Sequence, residues 1–320
     1  MSVTLAVNTM QAIETAMAQD QGAKFRIAQG QVLPHMKDAY QGANEGFRTH
    51  LGSSVIGREC ARQIWYGFRW ALKPKFSGRM LRLFNRGHLE EARFIAALLN
   101  IGVQVFQQDA HGNQFRISDI GGHFGGSGDG VAIGIPDLPA GTACLLEFKT
   151  HGEKSFIKLS KNGVRDSKPE HYVQMQTYLY KMGLTVALYG AVNKNTDEYY
   201  FELIYLDTIV GEQFLDRAHK IIMMRTAPDQ LRNASPGLFA CRYCDMLDIC
   251  HMNAPMEHNC RTCHWVEPKE DGTWYCNNKE RQMTILFGEA PGDFAAIDSA
   301  DFFLSKKRQL VGCKSFYTPL

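Results

Sequence analysis

The stretch GGSGDGVAIGIPDLPAGTACLLEFKT, Gly125 to Thr150, decides how the rest of the chain is read. Its glycine-rich turn presents Asp129, and eighteen residues later an apolar run from Ala143 to Leu146 delivers Glu147, Phe148 and Lys149. Alternate residues of a strand project to the same face, so Glu147 and Lys149 point together while Phe148 packs on the other side. The unbroken apolar run ahead of them marks a central strand, covered on both faces. Two carboxylates at the end of such a strand are costly to desolvate unless a cation joins them, and an oxygen-only ligand set suits Mg²⁺ or Mn²⁺. On an exposed strand a lone Glu-x-Lys is an ordinary solvated charge pair. The buried run and the upstream aspartate set this one apart.

Working outward, Ser77 to Leu99 carries Leu81, Phe84, His88, Glu91, Ile95 and Leu98 at three-four spacing, which predicts a helix just ahead of the strands between Val103 and Ile133. Beyond the Glu147 strand, PEHYVQMQTYLYKM (Pro169 to Met182) predicts another helix, with Gln174 and Tyr178 four apart on one face. Gln176 and Tyr180 form a second pair in phase, leaving the register of that helix open. The segments Val186 to Val192 and Tyr199 to Leu206 read as a hairpin about Asn193 to Asp197, followed by a helix from about Thr208 to Arg225. The order helix, strands, helix, hairpin, helix describes an α/β core with a mixed central sheet. Ahead of it, Met1 to about Gln21 has modest helical spacing, and the polar, glycine-dotted stretch to Leu51 reads as an extended arm. Ser53 or Ser54 is placed to cap a helix that begins near Gly57.

A chain of 320 residues, 45% hydrophobic and 21% charged, holds one large domain with small satellites and is not a disordered polymer. The net charge of +2 excludes little, but its distribution is uneven. Arg58, Arg62, Arg69, Lys73, Lys75, Arg79, Arg82, Arg86 and Arg93 interleave with Trp65, Tyr66, Phe68 and Trp70. That pattern fits a nucleic-acid surface, or equally a helix pair with solvated arginines. No apolar run is long enough to span a bilayer and the N-terminus lacks a secretory layout, so a cytoplasmic protein without a membrane partner is expected.

In a reducing compartment clustered cysteines argue for metal sites rather than disulfides. Cys241, Cys244 and Cys250 form a C-x2-C-x5-C set, which either takes distant Cys60 as a fourth ligand or makes a local zinc knuckle with His251. Cys260, Cys263, Cys276 and Cys313 have the look of a zinc ribbon, with His258 and His264 as rival ligands and Trp265 and Trp274 as its small core. Cys144, the ninth, reads as a buried apolar residue.

Asp129, Glu147 and Lys149 resemble the motif core of the PD-(D/E)XK nuclease superfamily. With Cys60 and C-x2-C-x5-C added, the chain from about Ser53 to Met252 is similar to the RecB-like iron–sulfur exonucleases, the CRISPR-associated exonuclease family and the AddB nuclease domain type, phage-encoded members among them. The resemblance implies a restriction-endonuclease-like core, stapled by a [4Fe-4S] cluster on Cys60, Cys241, Cys244 and Cys250, with a small zinc-ribbon-like module after it. It implies metal ligation by His88, Asp129, Glu147 and the carbonyl of Phe148, with Lys149, Gln174 and Tyr178 completing the catalytic set. Lys149 would position a water or neutralise charge, Gln174 would fix geometry, and Tyr178 would line the path of the strand. The expected boundaries are 1–50 for an N-terminal helix and arm, 51–255 for the nuclease core and 256–320 for the zinc-binding module. The expected activity is Mg²⁺- or Mn²⁺-dependent exonuclease action on DNA ends or single strands in recombination, repair or replication, with a partner protein from one of those processes. A structure-specific endonuclease and a catalytically idle DNA-binding scaffold are the alternatives.

Overall fold

The structure, a computed structural model, describes residues 3–36, 48–73, 75–109, 111, 114–277 and 281–283. In chain order its first elements are α1 (Val7–Asp20), α2 (Ala23–Val32), β1 (Leu51–Gly52), α3 (Ser53–Ile56), α4 (Ala61–Phe68) and α5 (Gly78–Asn100). The strands β2 (Gln104–Phe106), β3 (Arg116–Asp119), β4 (Phe124–Ser127), β5 (Gly130–Ile133) and β6 (Ala143–His151) follow. Then come α6 (Glu153–Ser167), α7 (Pro169–Met182), β7 (Val186–Asn193), β8 (Tyr199–Tyr205) and α8 (Thr208–Met223). The last elements are α9 (Phe239–Arg242), α10 (Leu247–His251), β9 (Val266–Pro268), β10 (Trp274–Cys276) and β11 (Arg281–Met283). The described residues divide into two compact units. Unit 1 draws on Met1–Gln41, Phe76–Ile117 and Gly126–Leu215, and unit 2 on Gly42–Lys75, Ser118–Gly125 and Asp216–Leu320.

Unit 1 is built on a five-stranded sheet in the order β2-β5-β6-β7-β8. Strand β6 is central, which is why its run Cys144, Leu145 and Leu146 is apolar without alternation and fully buried. It pairs antiparallel with β5 and parallel with β7, and a parallel neighbour requires a long crossover, supplied by α6 and α7. On one face Phe148 stacks on Phe94 of α5 with ring centroids 4.7 Å apart, inside a cluster that includes Leu98, Leu188 and Phe201. The other face carries Glu147, Lys149 and His151. Helix α5 starts where the sequence places it, with the Ser77 hydroxyl accepting from the Met80 N–H at 3.3 Å.

Two readings are corrected in this unit. The stretch after Gln21, expected as an extended arm, contains α2, and Val32 joins Ala6 and Ile13 in the same buried cluster as Phe94 and Phe148. An amphipathic stripe too weak to stand out alone is held by packing. Helix α6 had no counterpart in the sequence reading. It is broken at Gly163 (φ 72°), where a Cβ would meet Val3 Cγ2 at 2.6 Å, and that glycine interrupts the helical periodicity.

Unit 2 corrects a third. Trp65, Tyr66, Phe68 and Trp70 are buried, so these aromatics form the interior of unit 2 and present no ring to a nucleic acid. Arg69 and Arg261 are buried with them. The Arg69 guanidinium donates to the Met224 and Val266 carbonyls at 2.8 and 2.9 Å, and Arg261 donates to Thr49 and Phe68 at 2.7 and 3.1 Å. Arg261 lies 3.8 Å from the Trp70 ring and 4.6 Å from that of Trp274, a cation–π sandwich that offsets part of the desolvation. Burial and the neighbouring Arg69 together push its pKa down to about 9. Trp274, expected to core a separate module, instead stacks on Phe68 (5.4 Å) and edges His123, so residues 257–276 share this interior. The helix expected to begin near Gly57 is two pieces, α3 and α4, with Cys60 as the N-cap of the second. No helix among the described residues is long and apolar enough to cross a membrane.

Candidate active site

The site lies within unit 1, on the polar face of β6. Asp129 lies in the turn from β4 to β5. Its N–H donates to the Leu146 carbonyl at 3.3 Å, and its Oδ2 accepts from the Phe148 N–H at 2.6 Å, which seats the carboxylate beside the neighbouring strand. Glu147 is 1% exposed and its Oε1 accepts a short hydrogen bond from Lys149 Nζ. Its other oxygen, Oε2, is buried with no hydrogen-bond partner among the described residues. Helix α7 supplies the wall: Gln174 approaches the Glu147 carboxylate and donates to the Tyr178 hydroxyl at 3.3 Å, and that hydroxyl donates to the Ser127 carbonyl at 3.1 Å.

The electrostatics are those of a site short of positive charge. Burial, followed by repulsion from Asp129, drives the Glu147 pKa up to about 7 against the pull of Lys149. Burial also raises Asp129, with Lys149 pulling the other way. For Lys149 burial opposes the charge, yet Glu147 and Asp129 outweigh it and raise its pKa, so the ammonium persists. A fourth group, Glu91 of α5, belongs here as well. Burial, then Asp129 and Glu147, raise its pKa to about 8, and its Oε1 lies 3.9 Å from His88 Nδ1. His88 is 41% exposed at the rim. A cleft of about 380 Å³ opens beside them, lined by His88, Glu91, Phe148, Lys149, Thr150 and Lys194.

The structure thus brings together His88, Asp129, Glu147, Phe148, Lys149, Gln174 and Tyr178. Glu91 was read from sequence only as one position of a helix stripe; a carboxylate three residues after His88 on an otherwise apolar stripe was its signal. The register of α7 is settled by its neighbours. Gln174 faces Glu147, whereas Gln176 accepts from the Asp207 N–H and donates to the Tyr205 carbonyl, and Tyr180 packs beside Gly211. Tyr178 does not line an open path for a strand. At 2% exposure it is interior, bracing Gln174 against the turn that leads to Asp129.

In unit 2 Cys60, Cys241, Cys244 and Cys250 line one small pocket with His251 at its edge. Cys60 Sγ accepts from the Gln63 N–H at 3.4 Å, and Gln230 donates to Cys250 Sγ at 3.3 Å. Burial, with Cys60 and Cys250 near, raises the Cys241 and Cys244 thiols above their ordinary value. Cys260 and Cys263 flank one turn, and Cys276 pairs in register with Val266 in the β9–β10 hairpin. Cys313 lies outside the described residues. Among the described residues no group of three or more His, Cys, Asp or Glu side chains is placed so that it could hold a metal ion.

No protein-family model and no curated protein matches the sequence. Among solved structures, the chain is similar to LHK-Exo in complex with dAMP at 19% identity over 54% of this chain and 86% of that one, TM-score 0.40. The alkaline exonuclease LHK-Exo from Laribacter hongkongensis gives 16% identity over the same shares and 0.39. A structure of SSO0001 gives 15% identity over 71% of this chain and 93% of that one, with a TM-score of 0.35.

Proposed function

We propose that unit 1 hydrolyses phosphodiester bonds of DNA, acting from ends, as a restriction-endonuclease-like exonuclease that depends on Mg²⁺ or Mn²⁺. The observation that carries this reading is the buried, unpartnered Oε2 of Glu147 in a cluster where three carboxylates face one lysine. A hard cation fits that oxygen-rich set, held by Asp129, Glu147, the Phe148 carbonyl and, from the rim, Glu91 and His88. When bound, the ion lowers the pKa of water and offsets charge growing on a phosphate. Lys149, kept as an ammonium, donates hydrogen bonds to the attacking water or to the phosphate. Gln174 fixes the Glu147 carboxylate, and Tyr178 fixes Gln174. Exposed Arg79, Arg82 and Arg86 on α5 supply phosphate contacts that carry affinity without sequence preference.

The sulfur sites take the same reading further. Four thiols on one pocket are a soft donor set, suited to a [4Fe-4S] cluster on Cys60, Cys241, Cys244 and Cys250. Cys260, Cys263 and Cys276 would hold Zn²⁺ with Cys313. The protein would work on DNA in recombination, repair or replication, in the cytoplasm. The decisive experiment digests end-labelled linear DNA and closed circular DNA, single- and double-stranded, with Mn²⁺ and with EDTA. Linear molecules should be degraded from their ends, closed circles spared, and EDTA should stop the reaction. Nicked or linearised circles would instead mean an endonuclease, and intact DNA throughout would mean a scaffold.

A further inference from the structure

On the face of β6 that carries Glu147 and Lys149, the next residue in phase is His151, and opposite Glu147 on β7 stands Tyr189. These side chains reach α7 through hydrogen bonds that the proposed reaction leaves unused. His151 Nε2 and His171 Nδ1 each lie 2.9 Å from the Tyr189 hydroxyl. His151 Nδ1 lies 3.1 Å from Ser155 Oγ, and Lys168 Nζ donates to that same oxygen at 2.5 Å.

The direction of this chain follows from proton counting. A phenol has one proton, so between two neutral imidazoles it donates to one and accepts from the other. Lys168 has only protons to give; Ser155 accepts from it and keeps its own proton for His151 Nδ1. His151 then donates through Nε2 to Tyr189, and Tyr189 donates to His171 Nδ1. His171 is left with its proton on Nε2. Burial, and then the nearby lysines, keep both imidazoles uncharged, with pKa values pushed down to about 4 for His151 and about 3 for His171. His171 is half-buried, and its Nε2 has no hydrogen-bond partner among the described residues. It stands three residues before Gln174 and seven before Tyr178, on the face of α7 that closes the site.

We propose that His171 Nε2–H is a neutral hydrogen-bond donor to a non-bridging phosphate oxygen of the bound DNA strand, its tautomer fixed by the chain Lys168, Ser155, His151 and Tyr189. This rests on reading the site as a DNA hydrolase. A neutral donor grips phosphate without displacing a counter-ion, so it leaves a signature unlike that of any lysine or arginine contact.

The test measures binding of a short fluorescent single strand in calcium across a range of salt, for wild type, His171→Ala, His171→Gln and Tyr189→Phe, with cleavage by Glu147→Ala in magnesium as control. His171→Ala should weaken binding about tenfold, the size of one hydrogen bond to a charged group, with the slope of log affinity against log salt unchanged. His171→Gln places an amide N–H where Nε2–H stood and should recover affinity to within about threefold of wild type. Tyr189→Phe keeps the ring, frees the tautomer, and should fall between; if it does not fold, the alanine and glutamine pair decides. Affinity of His171→Ala within about twofold of wild type, a slope reduced by about one as a cationic contact requires, or no recovery in His171→Gln would each overturn the proposal. If Glu147→Ala still cleaves, the hydrolase reading itself fails; if Glu147→Ala is inactive and His171→Ala binds like wild type, only the role of His171 does.

Discussion

Glu91, Asp129 and Glu147 in unit 1 and Cys241 and Cys244 in unit 2 are crowded, like-sign acids whose pKa burial lifts, yet the outcomes diverge. Glu147 and Glu91, at about 7 and about 8, sit at the edge of ionisation near neutral pH and lean on Lys149 for balance. Cys241 and Cys244, raised from an already high value, are protonated there and need no counter-charge. On the proposed reading, a hard cation would displace the protons that Glu91 and Glu147 retain near neutral pH, and a soft metal those of every thiol it binds. The oxygen cluster is thus partly charged and dependent on its lysine, whereas the sulfur cluster is neutral by itself.

The largest effect that would break this contrast is on chemistry. Glu147→Ala should lower cleavage by about a hundredfold or more, as expected when a metal site loses a ligand, while unit 2 keeps its fold and whatever metal its cysteines bind. Near-wild-type cleavage in a soluble variant ends the account of unit 1. Next comes Cys250→Ala. Anaerobically purified wild type should be brown with about four irons per chain, and the variant should lose colour and iron and melt lower by at least about 5 °C, with zinc content unchanged. A colourless wild type containing only zinc would favour the knuckle with His251.

A smaller effect tests the wall of the site. A Cβ on Gly126 would lie 2.5 Å from the Tyr178 hydroxyl and 2.7 Å from its Cε1, so Gly126→Ala should displace Tyr178 and cost about 1–3 kcal/mol by overpacking. Urea unfolding and kcat should both fall, and a crystal structure with Tyr178 unmoved would count against the brace. The smallest effect is acid sensitivity. His151 and His171 have folded-state values of about 4 and about 3, below the ordinary 6.5. Unfolded chains then bind protons first, so stability is full above about pH 6.5 and is lost as pH falls towards the folded-state values. The urea midpoint should drop over that window; a flat profile would mean the imidazoles are less enclosed than they look.

What the sequence made legible follows from how local each signal was. The Gly125 to Thr150 turn and strand, the Ser77-capped helix and the Pro169 to Met182 helix each carry their own punctuation and period. The basic–aromatic segment was ambiguous because Trp65, Tyr66, Phe68 and Trp70 spell a core and a stacking platform alike; only burial separates them. Helix α6 hid behind Gly163, which needs to be glycine for its φ of 72° and for the close approach of Val3, some 160 residues away. Glu91, His171 and Tyr189 meet the site from different elements, and no one-dimensional spacing reports such a meeting.

The segment ahead of α1 has a consequence for how the molecule is made. Leu203 N–H donates to the Thr4 carbonyl at 2.8 Å and Ala6 N–H to the Phe201 carbonyl at 3.0 Å, so residues 4–6 lie along the outer edge of β8. On the ribosome, residues 4–6 emerge long before β8 exists. At about 5–20 residues per second they wait roughly 10–40 s for their partner. During that interval Ala6 and Ile13, both buried in the fold, are without their native cover, and β8, once made, is an open edge until residues 4–6 return. A nascent-chain holdase that shields this early apolar stretch should raise the yield of folded protein more than one acting on the finished chain.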